Sequence, residues 1–266
     1  MKCVICSSQM SFFFSKNFDT YDLAQVNYWK CQSCGFVISK THADLSDSDW
    51  KKLNYKYHNS FLGKNFNADD PRWVDRLNVQ AEIINDLVAI GVLPNTKWLD
   101  FASGDGKLSA ILKNKYKLTL LNYDKYTPTG DKFLAEKDLT PQGFDFVITT
   151  SVFEHIVKRD DYDYIASFVT KDGIMGLHTL VCEDIPNDPN WFYLLPVHCA
   201  FHTNKSMNLL LHQWGYKSSI YNVDARLWLF FKSKSNNIKA IIAKANKRAL
   251  SKPKYLFKTG FMDYWK

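Results

Sequence analysis

The chain has no run of the ~18–20 consecutive apolar residues that a bilayer-spanning helix needs. Its opening, MKCVICSSQM, lacks the apolar core of a secretory signal. Glycine (11) and proline (8) are scarce among 266 residues, which excludes collagen-like and low-complexity designs. Cysteine is sparse as well, six in all, too few for a disulfide-stapled miniprotein of this length. Only 23% of residues are charged, whereas 46% are hydrophobic and 15% aromatic, so disorder of the whole chain is excluded. A globular protein is expected, in the cytoplasm. At ~100–200 residues per domain the length allows one large domain with a small appendage.

Charge is unevenly placed. Lys232 to Lys266 holds ten basic residues and one acid, while the preceding body holds 24 basic and 26 acidic residues. A near-neutral body with a basic tail points to one segment that meets something anionic, not to a nucleic-acid protein throughout. Within the tail, Ile238, Ile241, Ile242, Ala245 and Ala249 fall on one helical stripe, and Pro253 follows Leu250 as a stop. Tyr255, Phe257, Phe261, Tyr264 and Trp265 come next. Two readings stay open: a helix packed back on the domain, or an anionic contact. The second would make the protein peripheral to the inner face of a membrane or place it beside a lipid-linked substrate.

The cysteines split four and two. Cys3-x-x-Cys6 and Cys31-x-x-Cys34 form two knuckles, and Cys182 and Cys199 stand singly. Two thiolates in a tight turn can point at one ion, and two such turns complete a tetrahedral shell with Zn–S of ~2.3 Å. Gly35, after Cys34, suits a knuckle that needs positive φ. Four thiolates leave no open position, so the expected zinc is structural. A rubredoxin-like iron site and redox dithiols are the alternatives. Cys182 and Cys199 read as small buried residues.

Four regions are expected: a zinc ribbon (1–42), a helical lead-in (43–94), an α/β domain (95–233) and the basic aromatic tail (234–266). In the lead-in, Arg72 to Ile90 carries an apolar helical repeat ending at Gly91 and Pro94. From residue 97 strands alternate with helices: strands at 97–102, 117–124, 144–150 and 173–181, helices at 104–113, 152–169 and 204–214. Two closing strands, YKSSIYNV and RLWLFFK, read as an antiparallel pair. Such alternation calls for a parallel sheet covered on both faces.

The strongest constellation is Asp100-Phe-Ala-Ser-Gly-Asp-Gly (100–106), after a strand and opening a helix. Its glycines allow close approach of a ligand to backbone. Asp124 ends the next strand, near the ~20-residue spacing of an acid that takes ribose hydroxyls. A dinucleotide site would seat a pyrophosphate on the helix N-terminus. Asp100 would repel that group and favour a cation, such as the amino group or sulfonium of S-adenosylmethionine.

WLDFASGDGKLS (98–109), LLNYD (120–124) and FDFVITTSVFEHI (144–156) resemble the class I S-adenosylmethionine-dependent methyltransferases, over roughly residues 72–232. The resemblance implies a Rossmann-like fold with a mostly parallel seven-stranded sheet. It implies Asp100, Ser103, Gly104 and Gly106 around the methionine moiety, with Ala102 standing where the family usually has Gly. Asp124 would hold the ribose, Asp138 and Leu139 the adenine side, and Ser151 and Glu154 the floor. The CxxC…CxxC head before such a domain is similar to that of sugar C-methyltransferases acting on nucleotide-linked deoxysugars.

Residues 182–203, CEDIPNDPNWFYLLPVHCAFHT, make a connection longer than most, and long connections are usually functional. Trp191 and Tyr193 offer flat faces for a sugar, and Tyr57 and His58 could reach the same site from the lead-in. PVHCAFHT (196–203) resembles the P-x-H-x-x-x-[FY]-[ST] passage of these methyltransferases, which implies His198 as general base. His202 is the second candidate, also read as packing, and His155 the third, also read as a helix cap. The leading expectation is a methyltransferase acting on a small molecule or glycan, a sugar hydroxyl in polysaccharide or nucleotide-sugar biosynthesis. An RNA or protein methyltransferase that uses ribbon and tail to hold a macromolecule is the second, and a non-catalytic nucleotide-binding module the third.

Overall fold

The computed structural model describes residues 1–60, 72–126, 133–232, 236–247 and 254–263. Ala249, Leu250, Pro253, Tyr264 and Trp265, named above for the tail, lie outside the described residues. No helix among the described residues is long and apolar enough to cross a membrane.

The chain opens with strands β1 (Met10–Phe18), β2 (Ala24–Cys31) and β3 (Val37–Ser39), an antiparallel meander. A single turn, α1 (Lys40–Ala43), leads to α2 (Asp47–Asn59). Ser46 caps α2 by accepting from the Asp49 amide, and Asp47 and Asp49 occupy the first turn, where the helix dipole favours acids. Helix α3 (Trp73–Ala89) buries Leu77, Ala81, Ile84 and Leu87, one face at helical spacing, and Gly91 (φ +75°) follows it. The core then alternates β4 (Trp98–Phe101), α4 (Lys107–Ile111), β5 (Leu121–Tyr123), β6 (Phe144–Thr150), α5 (Arg159–Ser167) and β7 (Val169–His178). Short strands β8 (Val181–Cys182) and β9 (Ala200–Thr203) bracket the long connection. Helix α6 (Asn204–Gln213), strands β10 (Ser218–Asn222) and β11 (Leu227–Phe231), helix α7 (Asn236–Lys247) and strand β12 (Leu256–Thr259) complete the order.

The large sheet has seven strands in the order β12-β10-β11-β7-β6-β4-β5. Strands β5, β4, β6 and β7 are parallel neighbours; β11 runs against both β7 and β10, and β12 against β10. Five strands therefore point one way and two the other, the Rossmann-like α/β architecture expected, with the closing pair antiparallel. Strand alternation splits the core. Leu99, Val147, Met175 and Phe230 face α5 and α6, while Trp98, Phe146, Ile174 and Leu229 face α3, α4 and α7.

Several expected boundaries move. The strand expected at 117–124 starts only at Leu121, because a π-turn at Leu112–Tyr116 ends with Lys117 in the left-handed region (φ +59°). The helix expected from residue 152 starts at Arg159, because 151–158 form a turn around a short 3-10 segment, Phe153–His155. The strand expected at 173–181 begins at Val169 and breaks before Val181.

The tail packs inward. Ile242 is buried on the α3 side of the sheet, with Ile238, Ile241 and Ala245 against the same cluster. Tyr255 and Phe261 are buried too, and β12 extends the large sheet. Of the two readings the sequence left open, the structure shows the stripe packed back on the domain, and the described aromatics of the tail go with it. Ile242→Ala should destabilise the protein by about 2–5 kcal/mol in urea unfolding, the cost of a truncated core aliphatic; a change near zero would mean that the tail is dispensable to the fold.

Candidate active site

Strand β4 delivers Asp100 to the carboxyl edge of the sheet, where open α/β sheets bind ligands. The following loop turns sharply. Ala102 (φ +59°), Gly104 (φ +57°) and Gly106 (φ +72°) all sit in the left-handed region. At Gly106 an added Cβ would come within 2.8 Å of Asn122 Nδ2, so the loop can lie against β5 only with glycine there. The Gly104 amide donates to Asp124 Oδ2 (2.8 Å), and the Tyr126 amide donates to Asp124 Oδ1 (2.8 Å). These two bonds fix the carboxylate at the end of β5 beside the glycine loop, 20 residues away in sequence.

A chamber of about 250 Å³ opens over this loop. Asp100, Ala102, Ser103, Gly104, Asp124, Ser151, His58 and His155 line it, eight of the residues expected at the site. A second chamber of about 420 Å³ adjoins it and shares Asn54, Ala102, Tyr126, Val152 and His155. Asp100 is only 2% exposed, and its Oδ1 has no hydrogen-bond partner among the described residues. Burial, and next the charge of Asp124, push its carboxyl up to about pH 8. The Ser103 hydroxyl is likewise buried without a partner among the described residues.

The histidines separate into different roles. His155, in the 3-10 segment after β6, lines both chambers, and its Nδ1 donates to the Val197 carbonyl (2.9 Å). Burial holds its pKa well below the ordinary value, so the ring is neutral. His198 is fully buried behind it, ring centroids 5.0 Å apart, with Nδ1 donating to the Tyr193 carbonyl (2.9 Å). His58 meets His155 edge-on at 5.3 Å. His202 lies elsewhere: its Nε2 pairs with the Tyr162 hydroxyl (3.0 Å), its ring packs on Phe36 and Phe153, and burial pushes its pKa down to about 3. Its place is that of a packing residue, the other role the sequence allowed it.

Other expected residues stand behind the chamber walls. Glu154 is buried at 1% exposure and accepts from the hydroxyls of Thr179 and Tyr193, both at 2.8 Å. Tyr193 is spent on that bond, and Trp191 packs on Phe201 and Tyr193, so neither lines a chamber among the described residues. Tyr57 packs on Tyr21 and His58. Asp138 accepts from the Ala135 amide, and Leu139 is buried in the core; neither lines a chamber. The sequence reading missed Trp50 and Asn54 of α2, and Trp73 and Arg76 of α3. A signal for the first pair was present, because Trp50, Asn54 and His58 recur at i, i+4 and i+8 on one helix face.

The knuckle cysteines converge as expected. One sulfur each from Cys3, Cys6, Cys31 and Cys34 lies within 4.8 Å of the others, with Cys3–Cys34 at 3.7 Å and Cys6–Cys31 at 3.4 Å. Amides of Ile5 and Cys34 donate to the sulfurs of Cys3 and Cys31, and Gly35 has φ +74°. The ribbon is sewn to the long connection. β3 pairs with β9, the Ser39 amide donates to the Cys199 carbonyl (2.7 Å), and Thr203 Oγ1 donates to the Cys34 carbonyl (2.5 Å).

No protein-family model and no curated protein sequence matches the chain. Among solved structures it is similar to a SAM-dependent methyltransferase, possible histamine N-methyltransferase, from Thermotoga maritima (12% identity, 69% of this chain and 98% of that one, TM-score 0.36). It is also similar to magnesium protoporphyrin IX methyltransferase from Synechocystis PCC 6803 with bound SAH (16%, 69% and 100%, TM-score 0.47) and to human N-acetylserotonin methyltransferase with SAM (13%, 71% and 68%, TM-score 0.42). At these identities, and with TM-scores below 0.5, activity and acceptor rest on the site's own chemistry.

Two outcomes test this geometry. An acid whose folded-state pKa is raised contributes stability that is complete below its ordinary pKa and lost as pH rises through about 8. Asp100→Asn should therefore raise the melting temperature of the unliganded protein progressively from about pH 4 to pH 8 and by a constant amount above it; an offset that does not change with pH would refute an uncompensated carboxyl there. Ala102→Gly should stabilise by about 0.5–1 kcal/mol in thermal unfolding, since it removes left-handed strain at a Cβ-bearing residue.

Proposed function

We propose that the protein is an S-adenosylmethionine-dependent methyltransferase acting on a small polar acceptor. The observation that carries this reading is the buried Asp100 carboxyl, whose Oδ1 lacks a partner among the described residues and faces a ligand-sized chamber. A site for a phosphate bridge would not put a buried acid at that point. The cofactor's α-amino group supplies the missing cation and donors, and ionising Asp100 against it lowers the carboxyl's pKa. Arg76 and Lys107, on the same wall, suit the cofactor carboxylate, and Gln80 orients Arg76 by accepting from Nη1 (3.3 Å). Asp124, oriented by two amides at the end of β5, is placed for ribose hydroxyls. Among the described residues, chain neighbours aside, no atom lies within 4 Å of a Cβ built on Gly104, the open cradle a ligand needs.

When bound, the cofactor supplies an electrophilic methyl group on a sulfonium. The chain's own residues then have to align an acceptor and manage its proton. Asn54, His58 and His155 furnish the polar wall on the acceptor side, and of the three histidines expected as bases it is His155 whose neutral imidazole reaches the chamber to take a proton. His198, expected as the base, supports that ring from behind. A sugar hydroxyl is the acceptor we favour: the wall is rich in hydrogen-bonding groups, and the zinc-headed resemblance points the same way. The four converging thiols suit a tetrahedral structural Zn²⁺.

Calorimetry should show S-adenosylhomocysteine binding that tightens from pH 6 to pH 8 as Asp100 ionises, and Asp124→Ala should weaken it by more than roughly tenfold, about 1.4 kcal/mol. Absence of binding to the intact protein would sink the reading. His155→Ala should slow methyl transfer from labelled cofactor to a panel of sugars and sugar nucleotides by roughly 10²–10⁴-fold while leaving cofactor affinity nearly unchanged. For the knuckles, Cys31→Ser should release one equivalent of zinc and lower the melting temperature; a metal-free protein of unchanged stability would remove zinc from the structure.

A further inference from the structure

Behind the acceptor wall lies a second convergence of metal-binding side chains, far in kind from the four thiols. Ligand atoms of Glu154, His155 and His198 lie within 4.8 Å of one another. Three features distinguish this group from a chance cluster. A carbonyl can only accept, so the Nδ1 atoms of His155 and His198, bonded to the carbonyls of Val197 and Tyr193, both carry hydrogen. In a neutral imidazole that leaves the lone pair on Nε2, so Nε2 is the atom each ring can offer a metal, while Nδ1 keeps the backbone-carbonyl partner typical of ligating histidines. Glu154 is 1% exposed and has no ion-pair partner among the described residues. Its two oxygens accept from the Thr179 and Tyr193 hydroxyls, one each, which leaves a lone pair on both. Finally, His155 lines both chambers and gives the buried group a path to solvent and to substrate.

We propose that Glu154, His155 and His198 bind a divalent transition-metal ion of the zinc or manganese class, with an open coordination position toward the acceptor chamber. Two imidazoles and one carboxylate are a borderline donor set that suits such ions over calcium or magnesium. Three protein ligands with a vacant position is the pattern of a catalytic metal, in contrast to the closed thiolate shell of the knuckles. The inference rests on the methyltransferase reading for the chamber's use, though not for metal binding itself. In the loaded protein Nε2 of His155 is a ligand, and an acceptor hydroxyl on the ion would be acidified there instead of by the free imidazole. Tyr193, whose hydroxyl holds Glu154, becomes a positioning residue for the ion.

Titration of the zinc-loaded full chain with Co²⁺ tests this. We expect one further equivalent, showing visible d–d absorption without a sulfur-to-metal charge-transfer band. Glu154→Gln and His155→Gln should each weaken that binding by more than roughly tenfold, and Tyr193→Phe by about tenfold, with far-UV circular dichroism unchanged. No second equivalent, a thiolate-type spectrum, or binding unaltered in the folded Glu154→Gln and His155→Gln variants would overturn the site. S-adenosylhomocysteine affinity, measured on the same samples, separates the two readings: cobalt binding without cofactor binding leaves the metal site standing and removes the methyltransferase, and the converse removes only the metal site.

Discussion

The arrangement turns on one short stretch of backbone pairing. Val37 and Ile38 of the N-terminal meander pair antiparallel with Phe201 and Ala200, and the Ser39 amide closes on the Cys199 carbonyl. This joins a segment too small to build its own core to the long connection that follows the sheet. Once β9 is fixed there, the residues just before it are fixed as well. The His42 ring reaches the Pro196 carbonyl, His155 reaches that of Val197, and the amide of Cys199 reaches the Glu154 carbonyl. The thiol cluster therefore does more than hold a ribbon. It sets one strand edge, and through that edge it orients the histidines beside the acceptor chamber.

At the other side of the chamber the protein gives up stability locally. Asp100 is buried next to a second carboxylate, and Ala102 and Ser151 adopt positive φ on either side of the cavity mouth. Each feature is unfavourable by itself, and residues held in such conformations cluster at ligand sites. The surrounding sheet tolerates them because β4 and β6 are central strands, paired on both edges and covered on both faces.

Much of this was legible in the chain. The strand–loop–helix passage at 98–109 and the acid at 124 declare the ligand edge, and the structure brings Asp100, Ser103, Gly104 and Asp124 around one chamber. The convergence of the two knuckles was legible because their spacing is itself the geometry. What sequence could not show is the direction of side chains in an irregular connection. Trp191 and Tyr193 look like a stacking platform, yet tertiary packing turns them onto Phe201 and Glu154. His198 and His202, four residues apart, have opposite surroundings, because β9 carries one into a bed of Phe36, Phe153 and Tyr162. Helical position was the missing clue for Trp50 and Asn54: their stripe was visible, but nothing local said that it faced a cavity and not a core.

Sequence separation gives the β3–β9 junction a kinetic side. Ser39 and Cys199 are bonded across 160 positions. At translation rates of about 5–20 residues per second, the amino-terminal strands wait roughly 10–30 s for the edge they pair with. During that interval the four thiols are held by their own turns and by the pairing of β1 with β2. An early arriving metal ion would shield them from oxidation and from wrong partners, and would present a ready template when β9 leaves the ribosome.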